Sequence, residues 1–217
     1  EEDYHQEISE ILAREIREIL PEPDREQSIL VVGLGNREVT ADSLGPNVVD
    51  NLFINRHIVR EYGKVAYNRS KMHQVSSLVP GVMAKTGMES AEIIKGVIGE
   101  TKPDMVIVID ALAARSTKRL NRTIQITNTG IHPGSGVGNH RNAITQESLR
   151  VPVLALGVPT VVDAATIVGD AMGERPVALK ELNNMYVTTK DVDQQIQQIS
   201  HILCDGINKA LNYPEEP

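Results

Sequence analysis

Runs of apolar residues with no polar face alternate along this chain with stretches of helical period. The clearest runs, Ile29-Leu30-Val31-Val32 and Met105-Val106-Ile107-Val108-Ile109, read as strands buried on both faces of a parallel sheet. Strands are therefore expected over 28–34, from 105 to an end at Asp110, and over 153–156, with 123–127 alternating like a strand and a weaker candidate at 64–68. Ile8, Ile11, Leu12, Ile16, Ile19 and Leu20 share a helical stripe that Pro21 and Pro23 stop. Further helices are expected over 44–60, with Pro46 in the first turn where a missing N–H costs nothing, and over 88–99 and 161–172. A last helix aligns Ile196, Ile199, Leu203, Ile207 and Ala210. The stretches 71–87, 130–138 and 173–186 read as loops, the first of them as an active-site or partner loop. This alternation predicts one three-layer α/β domain over 1–217, a mostly parallel sheet flanked by helices. In such sheets ligands bind in the crevice beyond the carboxyl ends of the strands.

Composition narrows the function classes. The 217 residues are 41% hydrophobic, enough for one sizeable core, and with no Trp and Phe53 as the single Phe that core is aliphatic. No segment has the length of uninterrupted apolar sequence that a membrane span needs, and the acidic start Glu1-Glu2-Asp3 is unlike a secretion signal. The single cysteine, Cys204, allows no internal disulfide, fits a reducing cytoplasm, and reads as a core residue of the last helix. A net charge of −7 argues against nucleic-acid binding.

Two aspartates carry the candidate chemistry. Asp42 follows the first strand in Gly33-Leu34-Gly35-Asn36…Thr40-Ala41-Asp42, and Asp110 ends the second. A carboxylate at the end of an apolar strand faces a desolvation cost unless it is paired or opens onto a cleft. Asp42 has a competing structural role, because Asp or Ser just before a helix commonly caps it; Ser43 could cap instead and leave the carboxylate free. Gly33-Leu34-Gly35 is no dinucleotide fingerprint: position 38 is Glu where the third glycine belongs, and Glu38 and Asp42 would repel a phosphate. Pro133-Gly134-Ser135-Gly136-Val137-Gly138-Asn139 is no P-loop, since no Gly-Lys-Ser/Thr follows; its alternating glycines read as a cradle for substrate backbone ahead of a plain tight loop. Asn128-Thr129-Gly130 has the shape of a pepsin motif but lacks its acid. No local zinc motif occurs, and His132 is the histidine best placed to join the aspartates. Asn36, His132, Gly134, Ser135 and Gly136 are the candidate substrate contacts, and Asp163 caps or orients a helix start or supports the site from behind.

Several of these motifs, in this order, resemble the germination protease family of spore-forming bacteria. They are Val31-Val32-Gly33-Leu34-Gly35-Asn36 with Thr40-Ala41-Asp42-Ser43-Leu44-Gly45-Pro46, Ile109-Asp110-Ala111-Leu112-Ala113, Thr129-Gly130-Ile131-His132-Pro133-Gly134-Ser135-Gly136-Val137-Gly138-Asn139, Gly157-Val158-Pro159-Thr160-Val161-Val162-Asp163-Ala164, and Tyr186-Val187-Thr188-Thr189-Lys190-Asp191-Val192-Asp193. The resemblance spans about residues 4–212. It implies a cytoplasmic endopeptidase of the spore core or forespore, made as a zymogen, homotetrameric, and degrading small acid-soluble spore proteins during germination. It also implies an unusual aspartic-type mechanism with Asp42 and Asp110 as the catalytic pair and no cofactor. The implied fold is that of the hydrogenase maturation endopeptidases, whose related site binds a metal through acidic residues and a histidine. A metal-dependent peptidase using the same aspartates with His132 is the first alternative, and a non-catalytic spore-protein-binding homologue the second. The chain departs from the family at Ala41 and Thr189, where proline is usual. A shortened segment near 173–183 and an absent N-terminal pro-region are expected.

Overall fold

A computed structural model describes residues 2–22, 26–67, 72–138, 141–173, 182 and 184–212. Its strands are β1 (Ser28–Gly33), β2 (Gln74–Leu78), β3 (Met105–Ala114), β4 (Gln125–Thr127), β5 (Val153–Asp163) and β6 (Tyr186–Val187). Its α-helices are α1 (Glu2–Ile19), α2 (Leu44–Asn51), α3 (Arg56–Tyr62), α4 (Met83–Thr86), α5 (Ser90–Thr101), α6 (Gln146–Leu149), α7 (Ala164–Met172) and α8 (Val192–Leu211). The strands form one sheet in the order β2-β1-β3-β5-β4, with β6 also on β5. β2, β1, β3 and β5 run parallel, while β4 and β6 pair antiparallel with β5. The expected mostly parallel α/β sheet is therefore what the chain forms.

Alternation along the central strands divides the core into two layers. Ile29, Val31, Ile107, Ile109, Leu154 and Leu156 pack with Leu12 and Ile16 of α1, Leu44 and Val48 of α2, and Ile196, Leu203 and Ile207 of α8. Leu30, Val32, Val106, Val108 and Val153 pack on the other face with Ala91 and Ile94 of α5, Leu149 of α6 and Ile144. Burial on both faces is why these strands show continuous apolar runs. Cys204 lies in the first layer, where its thiol donates to the Asn51 carbonyl at 3.0 Å, and burial pushes its pKa up to about 11.

The chain passes from β1 to β2 on one side and then to β3 on the other. The strand order thus reverses between β1 and β3, which in an open parallel sheet makes the crevice above them the expected binding position.

The structure corrects several sequence expectations. The helix expected over 44–60 breaks into α2 and α3, with Leu52 extended between them. Asn55 causes the interruption: fully buried, it accepts from the Val75 N–H at 2.7 Å and donates to the His73 carbonyl at 2.9 Å. Its amide thereby pairs with the outer edge of β2 as a neighbouring strand would, which a helical position could not do. The weak strand at 64–68 is a 3-10 turn, Lys64–Tyr67, and position 68 lies outside the described residues. The loop expected over 71–87 holds β2 and α4; the strand was hidden because Val75 is its single buried residue. β3 and β5 each run beyond their expected ends, β5 by taking in residues 157–163, and α7 starts at Ala164. α6 was not foreseen. Most of the 173–186 loop and Asn139 lie outside the described residues.

Candidate active site

Three glycines let the start of α2 settle directly on the ends of β1 and β3. A Cβ on Gly33 would stand 2.3 Å from the Gly45 carbonyl oxygen, and one on Gly45 would stand 2.4 Å from the Leu34 oxygen and 2.7 Å from the Ile109 oxygen. Gly35, at φ +123°, lies so close to Asp42 that a Cβ would meet its carbonyl oxygen at 1.9 Å. No other residue type fits there. The glycines that suggest a nucleotide fingerprint in sequence therefore serve close packing, and the result is to bring Asp42 down over the strand ends.

Asp42 closes a 3-10 turn, Thr40–Asp42, ahead of α2. Its carboxylate does not cap α2: Oδ2 accepts from the Asn36 N–H at 2.9 Å, which also donates to the Asp42 carbonyl at 3.0 Å. Ser43 occupies the cap position, but its hydroxyl donates to the Thr40 carbonyl and accepts from Asn47. The capping alternative for Asp42 is thereby removed.

Asp110 is set inside β3, one residue past the last β1–β3 pair, Gly33 with Ile109. From there β3 continues beside β5 alone. The residue is 6% exposed and opens onto a cavity of about 450 Å³ that Asp42 also lines. Burial pushes its pKa up to about 8; the Asp42 charge adds to the rise and the Ala111 N–H opposes it. Burial also raises Asp42 from the ordinary aspartate value, against the stabilising Asn36 N–H. The Asp42 charge that helps hold the Asp110 proton makes Asp42 the first of the pair to ionise and Asp110 the second.

The opposite wall is the glycine loop. His132, Gly134, Ser135 and Gly136 all line the cavity. Ser135–Val137 forms a 3-10 turn between Gly134 and Gly138, both left-handed, and Gly136 lies against Ala113 of β3, 3.1 Å from a would-be Cβ to its methyl. Asn36 is outside the lining; its side-chain oxygen accepts from the Glu38 N–H and shapes the turn. Asp163 is outside it too, capping α7 through the Thr166 N–H and hydroxyl, each at 2.7 Å. The cavity has a charged rim that sequence reading missed: Arg115, Arg119 and Arg141, with Glu89 and Gln125. Arg115, directly after β3, is the one with a sequence signal, the first polar residue past an apolar run.

Asp42, Asp110 and His132 share this lining, yet among the described residues no three His, Cys, Asp or Glu side chains are grouped to hold a metal ion. Among the described residues no helix is long and apolar enough to cross a membrane.

The germination protease family model matches residues 1–174. The germination protease of Caldanaerobacter subterraneus subsp. tengcongensis is 44% identical over 96% of this chain and 73% of its own length. That of a Geobacillus species (strain WCH70) is 50% identical over 97% of this chain and 73% of its own. The second alignment runs over 274 positions against 217 residues here, so that relative carries internal residues this chain lacks. Among solved structures, the [NiFe] hydrogenase maturation protease HycI of Thermococcus kodakarensis superposes with a TM-score of 0.40 at 16% identity, over 87% of this chain and 97% of that one. On the strength of the family model and these relatives, the chain belongs to the germination protease family.

Proposed function

We propose that this protein is an aspartic-type endopeptidase that hydrolyses small acid-soluble spore proteins during germination, with Asp42 as general base and Asp110 as general acid. The observation that carries the reading is the meeting, in one cavity, of two aspartates from separate strand ends, one of them 6% exposed and held protonated longer than the other by burial and by its neighbour's charge. Environments that push two carboxyl pKa values apart assign the acid and the base.

In the first step Asp42 takes a proton from a water whose oxygen attacks the peptide carbonyl carbon, and Asp110 gives its proton to the carbonyl oxygen. The tetrahedral diol then collapses. Asp42 passes its new proton to the leaving nitrogen as the C–N bond breaks, and Asp110 recovers a proton from one hydroxyl. Both groups return to their starting states. The glycine loop lines the cavity wall, with the Ser135, Val137 and Gly138 N–H groups closing its own turn, and the backbone at Gly134 and Gly136 is the proposed contact for the substrate chain or the developing oxyanion. Arg141 pairs with Glu89 at 3.9 Å, and Arg115 and Arg119 are the further cations of the lining, which suits a peptide with carboxylates near the scissile bond.

The test is incubation of the purified protein with a small acid-soluble spore protein, with and without EDTA, beside Asp42→Asn and Asp110→Asn. Defined fragments from the parent, unchanged by EDTA and lost in both folded variants, are expected. Near-normal cleavage by either variant removes the pair. Loss of cleavage on chelation points to metal chemistry, and no cleavage by the parent to a binding role.

A further inference from the structure

The Thr40–Asp42 turn has no buried residue of its own. Most of its hydrogen bonds close on the loop itself: Asp42 N–H to Val39, Ser43 N–H and hydroxyl to Thr40, and Asn36 N–H to Asp42. One bond described for this turn comes from the sheet. The Thr160 hydroxyl donates to the Ala41 carbonyl at 2.6 Å, next to Asp42 in the chain.

Thr160 is buried at 1% exposure in β5, where the pairing with β3 slips. Leu112 pairs with Pro159 and Ala113 with Val161, so Thr160 is the extra residue of a β-bulge. Bulges occur beside active sites because they re-aim a side chain that regular pairing would direct elsewhere. The Thr160 carbonyl in turn accepts from the Thr188 hydroxyl at 2.8 Å, which anchors the bulge to the segment following β6. The catalytic step uses neither threonine.

We propose that Thr160 is a positioning residue for Asp42, its bulge-directed hydroxyl holding the Thr40–Asp42 turn at the height where the Asp42 carboxylate meets Asp110 in the shared cavity. This rests on Asp42 as the general base, and the experiment separates the two claims. Thr160→Val keeps the β-branched shape and removes the donor, whereas Thr160→Ser keeps the donor. Hydrogen exchange of the 36–43 backbone is compared with that of 105–114 in the parent and both variants, and kcat and KM for spore-protein cleavage are measured alongside Asp42→Asn.

Thr160→Val is expected to speed exchange at 36–43 without changing 105–114. It should lower kcat by about 10- to 100-fold with KM within about 3-fold, since small misplacements of a reacting group cost rates of that order. Thr160→Ser is expected to restore both readouts to within about 3-fold. Unchanged exchange at 36–43 in Thr160→Val overturns the tether whatever the activity does. Faster exchange with undiminished kcat, equal loss in Thr160→Ser, or faster exchange throughout 105–114 overturns the positioning role. Full activity in Asp42→Asn instead overturns Asp42 as the base, while the exchange comparison still decides whether Thr160 holds the turn.

Discussion

Replacing Asp110 with asparagine should make the protein's stability less sensitive to pH and raise it in mild alkali. The folded protein holds the Asp110 proton up to about pH 8, whereas the ordinary value for the group is 3.8. Between those limits the folded state binds a proton that the unfolded chain has lost, so this group makes stability fall as pH rises. At about 1.4 kcal/mol per pH unit, the loss between pH 5 and pH 8 is on the order of 3 to 4 kcal/mol. An asparagine side chain at this position cannot ionise, and its amide oxygen can still accept from the Ala111 N–H. Other groups titrate in the same interval. Burial lowers His73, for example, so its contribution grows as pH rises toward the ordinary histidine value of 6.5; it is common to both proteins and cancels in their difference. Urea unfolding of parent and Asp110→Asn at pH 5, 6.5 and 8 is the assay. The advantage of the variant over the parent should grow by several kcal/mol from pH 5 to pH 8. Parallel stability curves would refute the protonated, buried Asp110.

Gly35→Ala is expected to abolish cleavage, because a methyl group 1.9 Å from the Asp42 carbonyl at φ +123° must displace the turn; retained activity would show that the turn is not held by this contact. Asn55→Ala leaves the Val75 N–H and the His73 carbonyl without their partner at the edge of β2, and should cost about 2 to 3 kcal/mol in denaturant unfolding with cleavage retained in the folded protein. Sedimentation should give about four times the 23.8 kDa chain mass if assembly follows the family resemblance.

Asp110 stands out in the sequence because it is a charged residue ending an apolar run, a conflict that burial physics makes conspicuous, whereas Asp42 sits in a polar turn where helix capping is an equal reading. The roles of the two were not legible, since the Asp110 proton depends on how completely α2, β5 and the glycine loop enclose it. β1 and β3 were legible because parallel strands buried on both faces leave no polar alternation. β2 was not, because it is an edge strand with one buried side chain. The break between α2 and α3 was invisible for a related reason: helical spacing continues through it, and only the pairing of Asn55 with a distant strand edge explains why the helix stops. Thr160 lies inside a recognisable motif, yet its hydroxyl acquires meaning only from a bulge in the β3–β5 register. Arg119 and Arg141 reach the cavity from loops whose destination no local pattern encodes.

The pH dependence of kcat/KM for spore-protein cleavage tests the acid–base pair most directly, because it reports the ionisations of the free enzyme. Activity should rise on the acid side as the pair loses its first proton, at a pH raised from the ordinary aspartate value, and fall through about pH 8 as Asp110 loses the second. A bell with its alkaline limb near pH 8 is the predicted result. A rate that stays level or keeps rising from pH 7 to beyond about pH 9 would contradict a protonated Asp110 as the acid.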